Sequence, residues 1–150
     1  EIAGLARGWL GTPYRHRASV KGAGCDCLGL LRGVWREIYG SEPMPVPAYR
    51  ADMRDPEHAG ALEAAATELL LPAGDEFVAG QVVLFRLNRA AHARHCGILV
   101  APDRFIHAQE RLGVVEAALG AAWRRRVAGR FEFPASATST MRLPPLKGRD

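Results

Sequence analysis

The chain lacks any apolar run long enough to cross a bilayer, so a membrane span or stop-transfer segment is not expected. Glu1-Ile2-Ala3-Gly4-Leu5 shows no basic stretch leading into a long apolar one, so no signal peptide is expected either. Cysteine is scarce and odd in number. Of the three, Cys25 and Cys27 are separated by one residue, where a bridge would be strained. A disulfide framework is therefore excluded and reduced thiols are expected. Neither a paired CxxC nor an HExxH motif occurs. Cys25-Asp26-Cys27, His92-Ala93-Arg94-His95 and Cys96 offer ligand types that zinc accepts, but not at its usual spacings, so no metal is expected. Aromatic residues make up only 7% and are not interleaved with the basic ones, and no nucleic-acid module is visible. Direct nucleic-acid binding is not expected. No internal repeat is found.

What is present fits one globular domain. A length of 150 residues is enough to bury a real core, and 48% hydrophobic with 24% charged residues is ordinary for such a domain. The net charge of +4 comes largely from the C-terminal third, with Arg124, Arg125, Arg126, Arg130, Arg142, Lys147 and Arg149. Such a patch suits an anionic polymer or an acidic protein neighbour.

The stretch from Gly24 to Gly40 organises the rest. It reads as a loop turning into a helix with a cysteine at the turning point. Asp26 is a good N-cap, whose carboxylate can accept from an orphan amide of the first turn. Cys27, Leu30, Leu31, Val34, Trp35 and Ile38 recur at helical spacing, and Gly40 is a natural stop. Cys27 then sits in the first turn, where unpaired amides and the positive end of the helix dipole favour an anion. A thiol there has a depressed pKa and is nucleophilic, and the same amides suit an oxyanion. The bland alternative is that Cys27 is a small buried apolar residue.

Before this helix, residues 1–10 predict a short helix with Ile2, Leu5, Ala6, Trp9 and Leu10 as its stripe, broken by Gly11-Thr12-Pro13-Tyr14. Residues 15–24 read as a basic loop. Residues 41–56, with four prolines, read as an extended crossing. Asp55-Pro56-Glu57 predicts the start of a scaffold helix over 57–71, closed by Pro72. Strands follow at 82–85, 95–100, 105–108 and 114–117, then a short helix over 118–128 and a last strand over 130–133. Short strands and tight turns predict an antiparallel meander with one face on the helices, an α+β arrangement. The catalytic domain would span 1–133, with 134–150 a Pro/Ser/Thr-rich tail.

His95 and His107 are twelve residues apart, on strands joined by the Ala101–Arg104 turn, and should meet across the ladder. Beside a helix-start cysteine, this pattern suits a thiol hydrolase. His95 would be the base that takes the thiol proton and returns it to the leaving amine, and His107 would orient it. His16, His58 and His92 read as surface residues. The alternative for the pair is two core histidines satisfied by hydrogen bonds.

Five blocks in order carry a resemblance: Trp9 to Arg15, Gly24 to Leu30, Gly80 to Phe85, His95 to Ile98 and Phe105 to Ala108. Together they resemble the NlpC/P60 peptidases, and most nearly those encoded with phage tails and phage-derived gene transfer agents. The resemblance implies a papain-like α+β fold with the nucleophile helix packed on a small antiparallel sheet. It implies Cys27 as nucleophile, His95 as base, His107 as third polar residue, and Tyr14 as an aid to the oxyanion or the substrate, with no cofactor. The implied reaction is hydrolysis of a peptidoglycan stem peptide, often between D-γ-glutamyl and diaminopimelate. The implied setting is the tail tip of a phage-like particle, made in the cytoplasm and acting on the periplasmic wall so that cargo DNA can cross. Tail hub or tip proteins would be its partners, with the Pro-rich C-terminus docking on them.

Three stretches depart from the family pattern. Leu28 replaces the usual serine after the cysteine, Arg17-Ala18-Ser19 replaces the usual paired glycines, and Gln81 stands where aspartate is common. The rival classes are a catalytically silent structural tail component and a related thiol amidase or acyltransferase.

Overall fold

The computed structural model describes residues 1–42, 60–88 and 91–135. The elements run in the order α1 (Ile2–Arg7), β1 (Ser19–Val20), β2 (Gly24–Cys25), α2 (Cys27–Tyr39), α3 (Ala61–Leu69), β3 (Leu71–Pro72), β4 (Val82–Phe85), β5 (His95–Ala101), β6 (Arg104–Gln109), β7 (Gly113–Ala118), α4 (Ala121–Arg125) and β8 (Val127–Glu132). The main sheet has the order β3-β8-β4-β5-β6-β7 and every pairing in it is antiparallel. The architecture is α+β, as the element pattern predicts.

The sheet separates two cores. Alternation along the strands sends Val82, Leu84, Cys96, Ile98, Val100, Ile106 and Ala108 to the face covered by α1 and α2, where Ala6, Trp9, Leu30, Val34 and Trp35 meet them. Val83, Phe85, Leu99 and Phe105 point the other way, into a smaller cluster closed by Leu119 and Trp123. Side chains of this size, fully withdrawn from water, each contribute on the order of 2 kcal/mol.

Helix α2 begins and ends where its caps dictate. Asp26 Oδ1 accepts from Gly29 N at 2.7 Å, and Gly40 takes φ 93°, a left-handed stop that a side chain would resist. Asp26 Oδ2 accepts from Arg17 N at 2.7 Å, while Ser19 Oγ donates to the Gly29 carbonyl at 2.6 Å. The Arg17-Ala18-Ser19 segment is thereby laced onto the first turn of α2. Arg17 holds φ 67° to aim its amide at Asp26, a conformation that glycine adopts more readily.

Several expectations need correction. α1 stops at Arg7 rather than residue 10, and successive turns then carry Trp9 into the core. Within the described residues, the scaffold helix covers only Ala61–Leu69. Pro72 does not simply close it but belongs to an edge strand on β8, where a missing N–H is tolerated. The helix expected over 118–128 shrinks to Ala121–Arg125, because Val127 already enters β8 beside Phe85. The last strand therefore starts at 127, and the β1–β2 hairpin occupies part of the expected basic loop. The extended crossing to residue 56, the start of the scaffold helix at Asp55-Pro56, His58, and residues 136–150 of the tail lie outside the described residues or run almost wholly beyond them. At the edge of the tail, Phe133 is buried and Tyr39 OH donates to the Pro134 carbonyl.

Gly29 leaves no room beneath the loop: a Cβ there would fall 1.8 Å from the Ala18 carbonyl oxygen. Gly29→Ala should destabilise the protein by about 2–3 kcal/mol, in the range of overpacked cores. A urea-unfolding midpoint equal to that of the parent would contradict this packing.

Candidate active site

Cys27 opens α2 at 6% exposure, in the turn whose first amides have no helical carbonyl behind them. It faces a cleft of about 670 Å³, lined also by Tyr14, His16, Phe85, His95, His107 and Trp123. The four residues expected to form the site, Cys27, His95, His107 and Tyr14, are thus brought together. Tyr14 is placed by backbone pairing: its neighbours Pro13 and Arg15 exchange hydrogen bonds with Cys25 at 3.0 Å each. A separate, largely apolar hollow of about 50 Å³ between α2 and α3 is lined by Leu28, Trp35 and Leu62, and the carboxylate at its wall, Glu42, is paired with Arg32 and Arg36.

The histidines stand on the sheet face opposite α2. His95 Nε2 and His107 Nδ1 are 2.7 Å apart. Continuing the β5–β6 register places His107 opposite Gly97, so the two rings meet on a diagonal. Gly97 permits this approach, since a Cβ there would lie 2.9 Å from both the Ile106 carbonyl oxygen and the Phe105 ring. His107 is 1% exposed, and burial first, then the charges of His95 and Arg126, push its pKa down to about 3. The ring is therefore neutral. In the tautomer that leaves Nδ1 of His95 for the thiol, Nε2–H of His95 donates to Nδ1 of His107, and Nε2 of His107 is buried with no partner among the described residues. Phe105 and Trp123 hold the His107 ring at centroid distances of 4.6 and 5.3 Å.

Cys96 contributes what sequence reasoning missed. It follows His95 in β5 and so points to the opposite face, under α2. Its sulfur lies 3.3 Å from the Cys27 carbonyl oxygen, to which it donates. The Cys27 thiol is drawn down from an ordinary 9.0 to about 5. The largest cause is a hydrogen bond from the Cys96 thiol. Burial opposes it, a hydrogen bond and the charge of His95 add to it, and the Asp26 carboxylate opposes it again. Cys96 is pushed far above the ordinary range, first by that bond to Cys27 and then by burial, so it keeps its proton and acts as donor. Cys25 is pushed up to about 12 by burial, then by Asp26 and Cys27, and is inert.

The remaining histidines separate cleanly. His16 is exposed at the cleft rim with Nδ1 4.0 Å from Asp26 Oδ2, and His92 is exposed but bonds Glu63 at 2.9 Å. Gln81 is buried and accepts from Arg130 Nη1 at 2.9 Å, a structural contact. Among the described residues no group of three or more histidine, cysteine or acidic side chains is placed to hold a metal ion.

A thiol that ionises readily, an imidazole beside it and a second, neutral imidazole thus share one cleft at the meeting of a helix and an antiparallel sheet. The profile of the NlpC/P60 family matches residues 11–131, well over half of the chain, and the chain belongs to that family. It is 28% identical over 121 residues to the probable endopeptidase NlpC of Escherichia coli (strain K12), covering 79% of this chain and 68% of that protein. The NlpC/p60 domain of the peptidoglycan hydrolase SagA shares the fold with a TM-score of 0.57 at 19% identity, over 88% of this chain and 96% of that one. NlpC2 from Trichomonas vaginalis gives 0.61 at 18%, over 88% and 44%. An NLP/P60 lipoprotein-like protein from Staphylococcus aureus subsp. aureus Mu50 gives 0.54 at 21%, over 87% and 39%. This chain spans less than half the length of the last two.

Neutral His107 has a pH consequence. Its folded pKa lies below the unfolded value of about 6.5, so the unfolded chain binds the extra proton. The stability it contributes is present above about 6.5 and is lost as pH falls toward 3. His107→Asn should therefore lose less unfolding free energy than the parent between pH 7 and pH 4. Equal losses in urea titrations at the two pH values would refute a buried neutral ring.

Proposed function

We propose that this protein is a cysteine peptidase that hydrolyses peptidoglycan stem peptides. The observation that carries the reading is the convergence of Cys27, His95 and His107 on one cleft, with Cys27 ionised near neutral pH by Cys96 and His95. The family's peptidoglycan hydrolase and probable endopeptidase relatives support the substrate class.

The chemistry follows from the geometry. The Cys27 thiolate adds to the scissile carbonyl, forming a carbon–sulfur bond and an oxyanion. In this reading the amides of Cys27 and Leu28 and the side chain of Tyr14 receive that oxyanion, the Gly29 amide being held by Asp26. Collapse breaks the carbon–nitrogen bond, and the amine leaves with the proton held on His95. Water then adds to the thioester, giving its proton to His95. The acid is released and Cys27 regenerated. His107 holds the His95 ring through both halves without exchanging a proton.

The finer reading is cleavage between D-γ-glutamyl and diaminopimelate by a component of a phage-like tail tip, which acts on the periplasmic wall and docks on tail hub proteins. This rests on the resemblance of the five sequence blocks. Leu28 in place of serine leaves the cleft one hydroxyl poorer beside the nucleophile, a departure that bears on which bond is cut.

Cys27→Ala should retain the parent's unfolding transition and lose release of muropeptides from purified sacculi by at least about a thousandfold, the scale expected when a nucleophile is removed. Undiminished release by that variant would contradict the proposal, whereas mass spectra of the parent's products would identify the bond.

A further inference from the structure

Two thiols meet at the start of α2, and peptide hydrolysis needs only one of them as a nucleophile. Cys27 faces the cleft, whereas Cys96 lies behind it in the core under α2 and has no exposed surface. Cys96 Sγ donates to the Cys27 carbonyl oxygen at 3.3 Å, and each thiol shifts the ionisation of the other. Both positions are fixed by the fold. Cys27 is the first residue of a helix capped by Asp26, and Cys96 sits in a strand paired on both sides, opposite Leu84 of β4. The third thiol is a poor partner for Cys27. Cys25 is one residue away from it across the cap, where a bridge is strained.

A nucleophilic thiolate open to a cleft, with a second thiol against its back, is the arrangement that converts a sulfenic acid to a disulfide. The cleft of about 670 Å³ admits a small peroxide to Cys27. Cys96 is closed to solutes, so its oxidation has to pass through Cys27. The bond to Cys27 is the largest reason that Cys96 keeps its proton, ahead of burial. Turning the Cys27 thiolate into a neutral sulfenic acid weakens that hold. Cys96 then becomes a better nucleophile at the moment its attack is needed.

We propose that Cys27 and Cys96 form a peroxide-responsive pair, in which a hydroperoxide oxidises Cys27 and Cys96 captures the product as a Cys27–Cys96 disulfide. The Cys27 thiolate attacks one peroxide oxygen and the O–O bond breaks. The sulfur becomes S–OH, and the other oxygen leaves with the proton that His95 took from the thiol. The Cys96 sulfur then displaces the hydroxyl from the Cys27 sulfur. A sulfur–sulfur bond forms, the sulfur–oxygen bond breaks, and the Cys96 proton departs with the hydroxyl as water. Two thiols are oxidised to one disulfide while the peroxide is reduced to water and an alcohol, or to water alone. The bridge takes the nucleophile out of service, and a dithiol restores it by exchange. Without Cys96, a second peroxide carries the sulfenic acid on to sulfinic acid, which dithiols do not reverse. The pair requires a nucleophilic Cys27 and holds whether or not the cleft cleaves peptides.

The test treats the reduced full chain with hydrogen peroxide and reads intact mass, peptide maps made without reduction, and labelling of Cys27 by a thiol-reactive probe. The parent should lose two hydrogens, give a peptide pair linked through Cys27 and Cys96, and lose labelling that dithiothreitol then restores. Cys25→Ala should behave in the same way, which assigns the bridge to Cys27. Cys96→Ser and Cys96→Ala should instead gain two oxygens at Cys27 and stay unlabelled after dithiothreitol. The linkage in the parent and Cys25→Ala decides the matter even if both Cys96 variants fail to fold. A parent that peroxide leaves unchanged, that gains oxygens without a linked peptide, or that links Cys25 or a second chain in place of Cys96 would overturn the pair. So would folded Cys96 variants that recover labelling as the parent does. None of these readouts depends on release of muropeptides, so a failure of the peptidase reading is seen separately.

Discussion

The carboxylate of Asp26, accepting at 2.7 Å from Gly29 N on one oxygen and from Arg17 N on the other, joins the loop before α2 to the helix itself. The first bond fixes where the helix starts, so Cys27 takes the first helical position. The second ties down the 15–18 loop, and pairing of Tyr14 with Cys25 then lays the tyrosine along the cleft. Asp26 also raises the thiol pKa by its own charge, so the site accepts an electrostatic penalty at the cap to gain position. That penalty is overcome by donors on the neighbouring strand.

Those donors come from the period of a β-strand. His95 and Cys96 are consecutive, so their side chains leave β5 on opposite faces. The end of α2 lies over that strand end, so both reach Cys27: Cys96 Sγ donates to its carbonyl oxygen, and Cys96 and His95 both lower the pKa of its thiol. Cys96, dry and protonated, approaches from the helix side. His95, oriented by neutral His107, approaches from the cleft side. The aromatic cluster of Phe85, Phe105 and Trp123 keeps His107 out of water, and that dryness holds it neutral.

Much of this was legible in the sequence because it rests on local rules. The Asp26 cap, the Gly40 stop, the apolar stripe of α2 and the strands around 82–85, 95–100, 105–108 and 114–117 all follow from spacing and composition. The pairing of His95 with His107 followed from the length of the intervening hairpin. What was hidden depends on partners distant in sequence. Cys96 read as an ordinary buried thiol because nothing local says that α2 will set Cys27 against it. Pro72 read as a helix stop because only β8, some 60 residues on, turns that stretch into an edge strand. The arginines after residue 123 read as a surface patch, yet Arg124, Arg126 and Arg130 are held by Phe77, Trp123 and backbone carbonyls brought together by the β4–β8 pairing. Alternation in β5 was the one available clue to Cys96.

The account centres on a Cys27 sulfur that is already ionised at neutral pH. Titration of thiolate ultraviolet absorbance in the reduced full chain measures this directly, with Cys27→Ala as the blank and Cys96→Ala as the perturbation. One thiolate should appear with a midpoint of about 5, vanish in Cys27→Ala and move to higher pH in Cys96→Ala. A first midpoint near 9 in the parent, or one that Cys96→Ala leaves in place, would contradict the arrangement described for this site.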